Sequence, residues 1–434
     1  MTVRTLAPAQ TFRALRHPHY RRFWWGGLVS LIGSWIQITA QGWLVYDLTG
    51  SPFMLGTVTM VNTVPTMLLG VVGGAVADRS EKRHLLLATQ GTFMLVSAIL
   101  AALTLTGRIA VWHILALSAA SGVAAALDMP ARQSLLAYLV DRDDLMNAIA
   151  LNSAVFNGSR IVGPVIAGVI IDRFGDRTGP GLSFALNTVS YLAVLAALAT
   201  IPVNSRPPAD ERQHLVRAVR EGLTFALGQP VLRTLLGLMA VTGVFGLSYT
   251  VLLPVFARDV LHVAARGYGL LLTASGLGAT AGVLALATAR PQRLEPVILA
   301  LHGAFTVLLA AFAASPAFPV SLALIVGVGA TMTAYLSATN TTIQALVPDA
   351  LRGRVMSLYI LAFFGTAPLG GLVMGALAQA AGARVAVAAG AAVCGAAWLA
   401  VRSRQRARVR PPDPRAGVTD APGPSPTPRA GGGA

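Results

Sequence analysis

Charge is scarce in this sequence. Only 12% of its 434 residues are Asp, Glu, Lys or Arg, while 55% are hydrophobic; a soluble domain carries about 25% charge. A chain with that balance has to place its apolar surface in lipid, which makes it a polytopic membrane protein. Lysine is nearly missing, Lys82 being one among 33 basic residues. Cysteine occurs once, at Cys394, which excludes an intramolecular disulfide and any cysteine-cluster metal site. In its Ala- and Gly-rich surroundings it reads as a small packing residue. The seven histidines are scattered without metal-ligand spacing. No Gly-x-x-x-x-Gly-Lys-Ser/Thr loop occurs, and nothing resembles a nucleophile elbow or paired catalytic acids. The chain therefore reads as a non-enzyme with no cofactor. The net charge of +16 is no nucleic-acid footprint, because the basic residues fall between apolar spans or in the tail. No cleavable signal is read either: the first apolar span, near Phe23, follows five arginines and is too long for a signal core.

Apolar windows of the roughly 20 residues that cross a bilayer fall near 23–46, 53–77, 84–105, 110–128, 148–171 and 181–201. They resume near 234–257, 267–289, 295–314, 318–342, 355–380 and 384–401. The pattern predicts an all-α membrane protein of twelve transmembrane helices in two pseudo-symmetric six-helix bundles, 23–201 and 233–401, after a cytoplasmic segment 1–22. Between the bundles, the cytoplasmic linker 202–232 carries Leu215, Val219 and Leu223 at helical spacing, an amphipathic interfacial helix. The Arg/Pro/Gly-rich tail 402–434 reads as a disordered cytoplasmic segment. Charge supports the count. With a cytoplasmic N-terminus, 26 basic residues lie inside, six lie outside and Arg160 alone falls within a span; a missed span would invert every later loop and spoil that asymmetry.

The two halves echo each other. Asp47 and Asp259 close spans 1 and 7, 212 residues apart, and Pro164 and Pro368 recur 204 residues apart in spans 5 and 11. Such duplication is the build of a transporter with its site at the repeat interface. The turn VVGGAVADRSEKRHLL between spans 2 and 3 crowds five charges into six positions. Gly73 and Gly74 permit close helix approach, the basic residues hold the loop inside, and Asp78 could face the positive end of a helix from the other half.

Gly74, Asp78, Arg79, Lys82 and Arg83 resemble the Gly-x-x-x-Asp-Arg-x-Gly-Arg-Arg signature of the major facilitator superfamily, with Glu81 in place of glycine and Lys82 in place of arginine. The segments LRHPHYRRFWWGGLVSLIGSWIQ, GWLVYDLTGSPFMLG, ALDMPARQSLLAYLV and LRGRVMSLY look like the branch of enterobactin-exporter-type proteins and transmembrane secretion effectors. The resemblance implies that Asp78 latches the outward-open state against the start of span 11, near Val355. Gly163, Pro164 and Gly168 resemble the antiporter motif of superfamily exporters, which points to export; the alternative is an ordinary packing kink. The family arginine inside span 4 is missing, which weakens any proton relay copied from drug antiporters.

Arg160 is a costly charge inside a span and so a functional candidate, either for an anionic substrate or for a partner carboxylate. Asp128 and Arg132 flank Pro130 as a gating pair. In span 1, Ser34, Gln37 and Gln41 belong to a polar stripe that either lines a cavity or bonds neighbouring helices. Asn157 shares the Arg160 face, and Thr331, Tyr335 and Asn340 mark span 10; the resemblance makes spans 1, 4, 7 and 10 the pathway lining. Asp47 and Asp259 read as solvated anions at outer helix ends. The expectation is a secondary transporter of the cell membrane, multi-pass and with both termini cytoplasmic. It would act as a monomer on a small-molecule substrate, exporting it against inward proton flow; uptake and a non-transporting sensor are the rivals.

Overall fold

The computed structural model describes residues 12–202 and 215–409. Most of the tail, part of the linker and the Asp78 side chain lie outside the described residues. Among the described residues, eleven helices are long and apolar enough to cross a membrane. One of them, Leu145–Ala199, has 55 residues and reverses at Gly175, whose φ of 85° suits glycine. It supplies spans 5 and 6, so the described chain makes twelve passes.

Local sequence sets the turns. Span 1 (Pro18–Thr49) begins with proline at its first turn and ends on Gly50 in the left-handed region, φ 58°. Span 2 (Pro52–Arg79) follows at once, with Ser51 capping it by accepting from the Met54 N–H. Spans 3 (Lys82–Leu105) and 4 (Val111–Leu139) complete the descent to the long hairpin. Span 4 continues well past its apolar window, through Pro130 into MPARQSLLAYL.

The linker carries the helix Leu215–Gly228. Span 7 covers Pro230–Val260 and contains two π-helical turns, Thr242–Gly246 and Phe256–Val260. Spans 8 (Ala265–Ala289), 9 (Leu294–Ala314) and 10 (Phe318–Leu346) are continuous. Span 11 is broken by a third π turn, Leu361–Gly365, between Asp349–Ile360 and Ala367–Ala381. Single π turns of this kind often mark functional places in helices. Span 12 runs from Ala383 to Val409. Its helix thus enters the segment read as tail, because SRQRARV holds good helix formers and no proline.

Spans 1 to 6 pack mainly on one another, as do 7 to 12; spans 5 with 8 and 2 with 11 join the two groups. Twelve passes leave the outer ends of spans 1 and 12 on one face, the terminal face; the loops between spans 1–2 and 7–8 lie on the other, the far face. Large apolar side chains such as Leu68, Trp112, Leu284 and Leu399 stay exposed around the outside, a surface suited to lipid.

Candidate functional site

At the far face, spans 1 and 7 end against each other. The Tyr46 hydroxyl donates to the Asp259 carboxylate, and Arg258 donates to Asp47 at 2.9 Å. Each half thus offers one donor and one acid at adjacent positions, and each acid is held by the other half's donor. Trp43 braces this clasp. Its indole N–H donates to Asp176 at 3.0 Å, its ring stacks on Tyr268 with centroids 6.0 Å apart, and the Arg258 guanidinium lies over it. Ser51 adds a 2.8 Å bond to Gln379 between spans 2 and 11. A cavity of about 720 Å³, lined by Tyr46, Asp259, His262, Gln379 and Arg384 among others, keeps the clasp in reach of far-face water.

Asp47 is therefore not a free solvated anion, while Asp259 stays exposed and accepts the Tyr46 hydroxyl. The Asp47 side chain is 14% exposed. A single helix shows its own polar positions but not what the other half sets beside them, and Trp43 and Asp176 carried no signal of their own.

The small residues of spans 5 and 8 form the seam between the halves. A Cβ on Gly168 would lie 2.9 Å from the Ala265 carbonyl oxygen, and one on Gly269 would lie 2.3 Å from that of Pro164. Thr273 donates across the seam to the Ile161 carbonyl at 2.8 Å. Gly163 faces the other way, with room for no side chain beside Trp35 of span 1. The antiporter-like motif thus fits span 5 closely to both neighbours. Next to it, half-buried Arg160 lies over the Trp35 ring at 6.0 Å and beside Gly276 of span 8.

The span 1 stripe bonds neighbouring helices. Ser34 meets the Tyr191 hydroxyl at 3.2 Å, Gln37 accepts from Asn187 at 2.7 Å, and Gln41 donates to Ser118 at 3.0 Å. Asn157 and Thr331 donate to backbone carbonyls one turn back, and Asn340 accepts from Gln344. Tyr335 is not a lining residue in this conformation: it is 0% exposed and packs edge-on against His302 inside the second half. His302 in turn meets Thr242, in the first π turn, at 3.0 Å. Neither the histidine nor the π turn was legible as a partner, since each lies on a different span.

At the terminal face, Gly73 makes the close approach: a Cβ there would sit 2.1 Å from the Ala126 carbonyl oxygen, whereas Gly74 faces open space. Arg79 is exposed and Lys82 is buried. Arg83 donates at 2.7 Å to the Ala199 carbonyl, where a cation suits the C-terminus of span 6. Asp128 accepts from Thr89 and Gln90, both at 2.7 Å, and pairs with Arg132 at 3.3 Å. These bonds stay inside the first half. Beneath them, the N-terminal segment is tied down by Arg13 and by His17, 2.8 Å from Asp144. The His17 hydrogen bond, followed by Arg13, holds the Asp144 carboxyl below its usual range.

A family model described as transmembrane secretion effector matches residues 9–418. The multidrug efflux pump Tap of Mycobacterium tuberculosis (strain ATCC 25618 / H37Rv) is 29% identical over 82% of this chain and 86% of its own. The staphyloferrin A transporter of Staphylococcus aureus is 28% identical over 61% of this chain and 66% of its own. The enterobactin exporter EntS of Shigella boydii (serotype 18) is 27% identical over 82% and 85%. Among solved structures, the nucleoside transporter NupG (D323A mutant) superposes with a TM-score of 0.69 at 14% identity, covering 89% of this chain and 99% of that one. A bacterial homologue of ferroportin in an inward-facing state gives 0.68 at 15% identity, over 89% and 98%.

Proposed function

Because the chain belongs to the transmembrane secretion effector family and is a multi-pass transporter of the major facilitator fold, we propose that it exports a small organic molecule across the bacterial plasma membrane by alternating access. Its terminal face is cytoplasmic, as the 26 basic residues on that side favour, and inward proton flow drives the cycle. One observation carries the reading: the far ends of the halves are clasped by reciprocal bonds, while the terminal-face bonds of Arg83 and Asp128 stay within one half. The far-face exchange supports reading the chain as a carrier that loads from the cytoplasm. The names of its relatives, efflux pump and exporter, favour the same direction.

Inverted membrane vesicles test it. Energised vesicles should accumulate substrate, and a protonophore should abolish the accumulation. Binding without accumulation would make the chain a sensor, and accumulation only in right-side-out vesicles would make it an importer.

A further inference from the structure

Arg160 is the one charged residue in the middle of any of the twelve apolar windows. A charge at that depth is expensive unless it is hydrated or paired, and acids elsewhere in the chain lie at span ends. Among the described residues Arg160 has no ion pair and no hydrogen-bond acceptor; its contact is the Trp35 ring, 6.0 Å from the guanidinium carbon. Trp35 belongs to span 1, and Gly276, whose added Cβ would lie 3.6 Å from the Arg160 side chain, belongs to span 8. The stem of the Arg160 side chain therefore lies at the seam between the halves, between span 1 and span 8, and the residue is half-buried there.

The geometry leaves its chemistry exposed. A guanidinium held over an indole with no acceptor of its own keeps its five N–H donors available, in a fork that matches a carboxylate, sulfonate or phosphate. Trp35 also meets Phe156 edge-to-face, with centroids 5.9 Å and rings 71° apart, so an aromatic corner adjoins the fork. Gly276 keeps the facing span clear of it. Tyr249, a nearby hydroxyl on span 7, is already engaged by Ser275 at 3.0 Å.

We propose that Arg160, Trp35 and Phe156 form the recognition site for an organic anion bearing a flat apolar group. The anionic end takes the guanidinium fork and the flat portion lies in the corner made by Trp35 and Phe156. This names the substrate class of the export reading and rests on it, but binding requires no gradient, so the two can fail separately.

The test uses the purified full chain in phosphatidylcholine nanodiscs, with naphthalene-1-sulfonate and 1-naphthylmethylammonium as probes in equilibrium dialysis. The sulfonate should bind at least about tenfold more tightly than the ammonium, the scale of a charge-assisted bidentate contact. R160Q should erase that preference, while R160K keeps part of it because charge survives without the fork. W35L should weaken the sulfonate about threefold to tenfold, as loss of an aromatic wall does. Equal binding of both probes, a preference for the cation, or a preference that survives R160Q would overturn the proposal. Inorganic phosphate that competes as well as the sulfonate would assign the fork to a free anion, and loss of sulfonate binding on adding phosphatidylglycerol would assign it to a lipid headgroup; either result overturns the organic-anion site.

Discussion

The far-face bonds of Tyr46 and Arg258 and the terminal-face bonds of Arg83 and Asp128 use polar residues in opposite ways. On the far face, donors and acids are exchanged between the halves, Tyr46 to Asp259 and Arg258 to Asp47. On the terminal face, the bonds of Asp128 and Arg83 serve to build one half, tying span 4 to span 3 and span 3 to span 6. In the proposed alternating-access cycle, contacts of the first kind break when the carrier changes state. Contacts of the second kind must survive it, since a half that rocks as a unit has to remain a unit. On that proposal, Tyr46, Asp47, Arg258 and Asp259 are the switch residues, while Asp128 and Arg83 belong to the scaffold.

The largest test removes the cation and the hydroxyl of the clasp. Arg258→Gln with Tyr46→Phe strips Asp47 of its ion pair and Asp259 of its hydroxyl donor. The population should move roughly tenfold to a hundredfold toward a far-open state, because each lost bond, discounted for solvent screening at this partly exposed place, is worth about 1 kcal/mol. Transport in inverted vesicles should fall accordingly while the protein stays folded.

Scaffold is probed next by two neighbouring glycines. Gly73→Ala must push against the Ala126 carbonyl and should lower the thermal midpoint, at a cost of about 1–3 kcal/mol. Gly74→Ala meets nothing within 4 Å and should leave the midpoint unchanged; equal effects of the two would mean that the span 2–4 contact is misplaced.

Tyr46→Phe alone is a milder break. It removes one of the two reciprocal bonds, about 1 kcal/mol, so the shift should be about fivefold and visible as faster thiol labelling of a far-face cysteine. The smallest effect concerns the N-terminal tether. Asp144 has its carboxyl pKa depressed in the folded state, so its contribution is present at neutral pH and is lost as pH falls through that lowered value. Limited proteolysis of the N-terminal segment should accelerate only under strongly acidic conditions, and Asp144→Asn should show the fast rate at neutral pH.

Much of the fold was legible because apolar length and basic loops are one-dimensional signals. The twelve windows, the turn at Gly50–Ser51 and the linker helix all follow from residues close in sequence. The site was legible only in part. Asp47 and Asp259 stood out as repeat partners, yet the exchange of bonds between them depends on where the halves meet. Tyr335 had the right span and faces the wrong way, since one polar residue does not fix a helix's rotation. The π turns at Thr242–Gly246 and Leu361–Gly365 have no local signature; a Cβ on Gly243 would lie 2.2 Å from the Thr366 hydroxyl, so the two broken helices fit each other.

The most direct test of the clasp is a spin-label distance between the far-face positions Thr106 and Ala317, both exposed, in a chain with Cys394→Ala. Wild type should give a single short distance. Arg258→Gln with Tyr46→Phe should add a dominant longer one, together with shortening between Arg142 and Gln344 on the terminal face. Identical distributions in the two proteins would contradict the claim that these bonds hold the far face shut.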